Sequence, residues 1–243
     1  MGNSLIQRDV VATEPVLEAL KGQLHELQLA QIAHGRRAII LFEGPEGSGK
    51  KAALRQLAAA FDPCNFMVHQ TRFDRRESGQ GHWLARFWSK LPGAGDTAIF
   101  YRSWYRRVLD DRILGRIEET MVPRALDEIN EFEAQQRDYG TLIVKLYFES
   151  SEAAQRQRIE QRSGASLRAP MPEEAISVSD PAFVRALGEV RANTDTRWSP
   201  WKVIGSDDER RSTLVALETI ADAWSKAMPA EPPQLVRAAP RVA

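Results

Sequence analysis

An apolar run, Ala38-Ile39-Ile40-Leu41-Phe42, leads directly into Glu43-Gly44-Pro45-Glu46-Gly47-Ser48-Gly49-Lys50, and Ala52-Ala53-Leu54-Arg55-Gln56-Leu57 follows at helical spacing. This order constrains the fold more than any other stretch of the chain. A buried strand, a glycine loop ending in Gly-Lys and then a helix is the architecture of a phosphate-binding loop. Gly44, Gly47 and Gly49, with Ser48 among them, let successive backbone N–H groups converge on an anion without side-chain obstruction. The helix N-terminus adds partial positive charge, and Lys50 adds a full one. Lys51 stands where such loops usually carry the Ser or Thr that binds magnesium. The competing reading of the same string is an ordinary strand-to-helix turn.

The rest of the chain bounds what such a loop can serve. Its 243 residues suit one α/β domain with appendages, and a hydrophobic fraction of 43% suffices for a substantial core. Lys+Arg and Asp+Glu both number 33, so no global field draws the chain to nucleic acid or to a membrane, and any polyanion site is built locally. The single cysteine, Cys64, excludes an intrachain disulfide and suits a reducing cytoplasm. The four histidines show no zinc-ligand spacing. No apolar run approaches membrane-spanning length, and the N-terminus lacks a basic-then-apolar leader pattern.

Further strands are expected over 65–69, 97–100, 141–148 and 201–204. Helices are expected over 14–33, 49–60, 82–91, 122–136 and 207–227. Strands alternating with helices predict a parallel sheet with helices on both faces, a three-layer sandwich whose ligands lie beyond the carboxyl ends of the strands. That edge carries both the loop and residues 101–107. Residues 1–13 are expected as an N-terminal arm, 14–227 as the domain, and 228–243, rich in proline, as a disordered tail. Residues of about 155–180 are expected as a helical lid, with a mobile excursion from 163.

Arginines follow the third strand: Arg102, Arg106, Arg107, Arg112 and Arg116 stand against Asp110 and Asp111. Guanidinium groups at a strand exit beside a phosphate loop suit a bound phosphate chain. At spacings of four or five they can also line one face of a solvated helix. Arg158 and Arg162 share a helical face at the start of the lid. Arginines so placed can stabilise charge on a transferring phosphoryl group, and a solvent-facing basic helix is the other reading.

Over about residues 14–225 the chain resembles the family-2 polyphosphate kinases. The resemblance rests on Phe42-Glu43-Gly44…Gly49-Lys50, on Trp83-Leu84-Ala85-Arg86-Phe87-Trp88 with Leu91-Pro92 and Gly95, and on Phe100-Tyr101-Arg102-Ser103-Trp104-Tyr105. Glu128-Ile129-Asn130-Glu131-Phe132-Glu133 and Thr194-Asp195-Thr196 with Trp198, Pro200 and Trp201 complete it. It implies transfer of a phosphoryl group between inorganic polyphosphate and a nucleotide (AMP, ADP or ATP), with Mg2+ as cofactor and a homodimer or homotetramer as the assembly. In the implied roles Lys50 and the loop N–H groups cradle the acceptor's phosphates, Arg102 and Arg107 grip the phosphates in flight, and Arg158 and Arg162 close from the lid. Glu46 would orient the attacking oxygen and help hold the metal.

The departures from the family pattern all affect the metal or the lid. Glu46 replaces an aspartate, Tyr101 replaces the strand-end aspartate that helps hold magnesium, and Lys51 replaces a glycine. The family's basic, tryptophan-bearing lid is thinned, Arg168 being the one Lys or Arg in 163–180. Magnesium binding is therefore expected to weaken while metal-free phosphate binding persists. A working phosphotransferase is the leading expectation, with a catalytically weakened pseudo-kinase that binds polyphosphate or nucleotide as its rival. A nucleotide kinase using ATP as donor is a third reading, supported only by the loop.

Overall fold

Five strands form one all-parallel sheet in the order β2-β3-β1-β4-β5. They are β1 Arg37–Glu43, β2 Phe66–Gln70, β3 Thr97–Tyr101, β4 Thr141–Glu149 and β5 Trp201–Gly205. The computed structural model describes residues 3–73, 81–165 and 171–229, with side chains over 14–73, 81–162 and 171–229. β1 lies at the centre, its Ile40 beside Ile99 of β3 and Val144 of β4. Such a position demands apolar residues on both faces, and the run 38–42 supplies them.

Alternation along β1 divides the core in two. Ala38, Ile40 and Phe42 point into a cluster with α1 (Asn3–Ala33), α2 (Lys50–Ala60) and α8 (Glu209–Ala227). Ile39 and Leu41 point the opposite way, toward α5 (Val122–Asp138) and α7 (Pro181–Thr194). Two short helices, α3 (Ala85–Trp88) and α4 (Asp110–Ile113), sit on the strand connections, and α6 (Glu152–Ala165) follows β4. The three-layer sandwich expected from the sequence is thus the observed architecture.

Two boundaries differ from expectation. The first helix begins at Asn3, ahead of the leucine periodicity that starts near 14, because a helix already anchored by packing extends at little cost per residue. The helix expected over 82–91 is confined to Ala85–Trp88. Pro92 disfavours helical backbone at Leu91, and Gly93 and Gly95 follow within a turn. The tail from 230 onward and Arg168 lie outside the described residues.

The second core contains a buried charge that the strand pattern does not announce. Lys145, in the middle of β4 and fully buried, donates to the Glu133 carboxylate at 3.0 Å, to the Thr194 carbonyl at 2.7 Å and to the Tyr105 hydroxyl at 3.2 Å. Glu133, also fully buried, accepts from the Trp104 indole at 3.0 Å. This network fastens α5, the end of α7 and the segment after β3 to the sheet. Lys145→Ala is expected to cost about 3–5 kcal/mol, since Glu133 would be left buried without a counter-cation. Lys145→Met, which restores volume but not charge, should lose nearly as much in urea unfolding.

Candidate active site at the carboxyl edge of the sheet

Parallel pairing brings the ends of β1, β2, β3 and β4 to one edge, so Glu43, Gln70, Tyr101 and Glu149 open onto the same surface. The loop after β1 crosses it with Gly44, Gly47 and Gly49 at positive φ. At Gly44 a Cβ would stand 2.7 Å from the Phe148 carbonyl oxygen, and at Gly47 the same distance from that of Gln155. These clashes explain why the string needs glycine there. The second also records that α6 packs directly on the loop.

Lys50 begins α2 and is buried. Its ammonium group donates to the carbonyls of Gly44 at 2.8 Å and Pro45 at 2.9 Å and lies 4.8 Å from the centre of the Tyr101 ring. Tyr101 thus offers the lysine a π face in place of a carboxylate. Burial, reinforced by the neighbouring Arg102 guanidinium, lowers the Lys50 pKa to about 8. In the same loop Ser48 Oγ is buried without a hydrogen-bond partner among the described residues.

Arg102 is the only residue other than glycine at positive φ (63°) among the described residues. That backbone costs about 1–3 kcal/mol, and it turns the chain so that the guanidinium reaches two carboxylates. Nη1 forms a short contact with Asp110, while Nη2 lies 3.3 Å from Glu46. Glu46 also accepts from Arg162 Nη1 at 2.8 Å. Burial alone would raise its pKa, but Lys50, Arg102 and Arg162 together lower it to about 2. It is a fixed anion, unable to act as a base near neutrality. Glu43 is the reverse case. Burial raises its pKa to about 7, against hydrogen bonds from the Ser103 N–H (2.7 Å) and hydroxyl (2.6 Å).

The same segment walls a cleft of about 570 Å³ lined by Thr71, Trp83, Ser103, Arg106, Arg107 and Arg116, among others. Arg107 stacks on the Trp83 ring at 5.0 Å, forms no ion pair among the described residues, and has its Nε buried without a partner. Arg106 and Arg116 are instead paired with Asp111 and Glu173.

The chain belongs to the polyphosphate kinase 2 family. The sequence model described as Polyphosphate kinase 2 matches residues 7–232. A polyphosphate:AMP phosphotransferase of Pseudomonas syringae pv. tomato is 32% identical over 215 residues, covering 86% of this chain and 42% of that protein. Its namesake from Pseudomonas aeruginosa is 30% identical over 220 residues, covering 85% and 44%. The chain therefore spans less than half the length of these two curated relatives. The fold matches a crystal structure of Polyphosphate Kinase 2 from Arthrobacter aurescens TC1 with a TM-score of 0.84 at 22% identity, covering 93% of this chain and 83% of that one.

Of the residues singled out in the sequence, Glu46, Lys50, Arg102 and the partly exposed Arg162 converge in one cluster with Gly44, Gly47, Ser48 and Gly49. Arg158 donates to the Gly47 carbonyl at 3.2 Å and to the carbonyls of Ser206 and Asp207, so it ties the loop to the turn before α8. Lys51 is exposed on the first turn of α2. The arginines from 102 to 116 do not share a helical face. They are divided between the turn at Arg102, a 3-10 turn over Trp104–Arg107, α4 with Arg112, and the bend beyond it with Arg116. Sequence reading placed Arg106, Arg116 and Asp110 in the charged stretch after the third strand without a role for each, and gave none to Glu43 or Glu173. Of these last two only Glu43, a charge closing an apolar strand, carried a local signal.

Polyphosphate kinases of this family generally use a divalent metal. The residues present do not fit one. Among the described residues there is no group of three or more His, Cys, Asp or Glu able to hold a metal ion. Glu46 and Asp110 share a guanidinium, Glu43 is engaged by Ser103, and Tyr101 closes the strand with a phenol.

Lys50 sets an expected pH dependence for anion binding. With a pKa of about 8 the ammonium is about nine-tenths protonated at pH 7 and about one-tenth at pH 9. Affinity for inorganic tripolyphosphate should therefore fall as pH rises through 8. Lys50→Arg, charged throughout, should remove that fall in calorimetric titrations at pH 7 and pH 9.

Proposed function

We propose that this chain transfers a phosphoryl group between inorganic polyphosphate and a nucleoside mono- or diphosphate, AMP or ADP, in either direction. The observation that carries this reading is the course of residues 101–107. Arg102 joins the phosphate loop through Glu46, and five residues later Arg107 faces the adjoining cleft. One short segment thereby serves two neighbouring anion sites, the arrangement that transfer between two phosphate-bearing substrates requires. The relatives' names support turnover over the binding-only alternative, and those of the first two support AMP as acceptor.

In this reading a nucleotide phosphate oxygen attacks the terminal phosphorus of the polyphosphate. A new P–O bond forms, the bridging P–O bond breaks, and the shortened chain leaves with the electron pair. The nucleophile is already anionic near neutrality, so no general base is needed, in keeping with a Glu46 that stays ionised. Lys50, the loop N–H groups and Arg107 hold phosphates, Arg162 supplies charge from α6, and Glu46 fixes Arg102 and Arg162. Arg102 and Arg158 position the loop. The finer elements of the reading are magnesium as the counter-ion that the phosphate chain brings, a cytoplasmic setting, and assembly as a homodimer or homotetramer.

Incubation with magnesium, long-chain polyphosphate and AMP or ADP, followed by chromatography, should yield ADP or ATP above blank. No product would sink the proposal. Arg107→Ala is expected to lower kcat/KM about a hundredfold while the fold is kept. Tyr101→Asp should leave kcat unchanged or lower it; a sharp rise would instead mark a site kept for binding.

A further inference from the structure

Two arginines of the cleft are occupied by a carboxylate from a distant part of the chain. Glu173 lies in a single 3-10 turn, Pro172–Ala175, and is 3% exposed. Its Oε1 accepts from Arg106 Nη2 and, at 2.8 Å, from Arg116 Nη1. Asp111 Oδ1 takes the same two guanidinium groups at 3.2 and 3.1 Å. Two cations and two anions thus cancel where the cleft is otherwise basic. The stretch bearing Glu173 is held largely by side chains. Glu174 accepts from Arg162 at 3.0 Å, and Gln155 bridges the Ile176 carbonyl (2.8 Å) and the Val178 N–H (3.0 Å). Among the described residues its backbone bonds are short-range turns, Glu174 N–H to the Met171 carbonyl, Ile176 N–H to that of Glu173 and Asp180 N–H to that of Ser177.

We infer that Glu173 is a built-in competitor for substrate phosphate, an internal carboxylate that holds Arg106 and Arg116 until a phosphate group in the cleft displaces it and releases the 171–178 strap. This rests on the reading of the cleft as a phosphate site. A phosphate monoester carries up to twice the charge of a carboxylate and three acceptor oxygens. The displaced glutamate regains its hydration, so the exchange is between comparable alternatives. Arg107, on the same wall and without an ion pair among the described residues, provides the first contact. Asp111 stays with the arginines because it belongs to α4, so it modulates their charge without fastening the strap.

Hydrogen exchange at the amides of Glu174, Ile176 and Val178, with calorimetric titration of AMP and inorganic tripolyphosphate, tests this on the intact chain. In the wild type, saturating ligand should speed exchange at these three amides. In Glu173→Gln they should be fast without ligand, and AMP should bind about tenfold more tightly. Asp111→Asn should also tighten binding but leave the three amides slow. Exchange that is unchanged or slowed by saturating ligand would overturn the inference, as would weaker binding by Glu173→Gln. The wild-type comparison stands alone should a variant fail to fold. None of these readouts involves turnover, so absence of phosphoryl transfer would sink the proposed function and leave this result standing, and the converse holds.

Discussion

Arg102, placed between Glu46 and Asp110 with almost no access to water, joins the parts on which the site depends. Its backbone ends β3, its side chain fixes the phosphate loop through Glu46, and its partner Asp110 begins α4. Little solvent screens these charges, and removing Arg102 would leave Asp110 buried without the guanidinium that pairs with it. The strained φ at Arg102 is the local cost of this arrangement, offset by contacts that no extended backbone would allow. The opposed pKa shifts of Glu43 and Glu46 arise three residues apart: burial raises the first against the Ser103 hydrogen bonds that lower it, and three cations lower the second against burial.

The metal question is answered by composition as much as by geometry. An aspartate at position 101 would lie beside Lys50 and near the carboxylates of the loop. A tyrosine there keeps Lys50 company through its ring and contributes to the first core. With Lys51 turned to solvent, the added cation does not enter the cluster. The net effect is a site whose positive charge is supplied by the protein's own guanidinium and ammonium groups. Electrostatic stabilisation of phosphates then depends on arginine placement, which makes the pairing of those arginines with carboxylates a controlling variable.

Much of this architecture was legible in the sequence. Periodicity placed all five strands within a residue or two; the inner strands β1, β3 and β4 are apolar runs buried in the sheet, whereas the edge strands β2 and β5 are short and partly exposed. The loop was legible too, since Gly44 and Gly47 occupy positions where a Cβ would meet backbone carbonyls. Long-range ion pairs left no such trace. Nothing local distinguishes Glu173 from its neighbour Glu174, or Arg106 from Arg107, yet one member of the second pair is clamped and the other is open. Lys145 likewise interrupts an otherwise apolar strand, and only the approach of Glu133 and Thr194 accounts for it.

Arg158 and Gln155 have a mechanical consequence. Arg158 spans the carbonyls of Gly47, Ser206 and Asp207, while the Gln155 amide donates to the Glu46 carbonyl at 2.9 Å and its backbone oxygen rests over Gly47. The first half of α6 is thereby bolted to the phosphate loop and to the turn leading into α8. The helix is the frame against which other parts swing, and it cannot tilt away without dragging the loop along. Rigidity at the phosphates and freedom at the strap are therefore set on opposite sides of a single side chain, Gln155, which grips both.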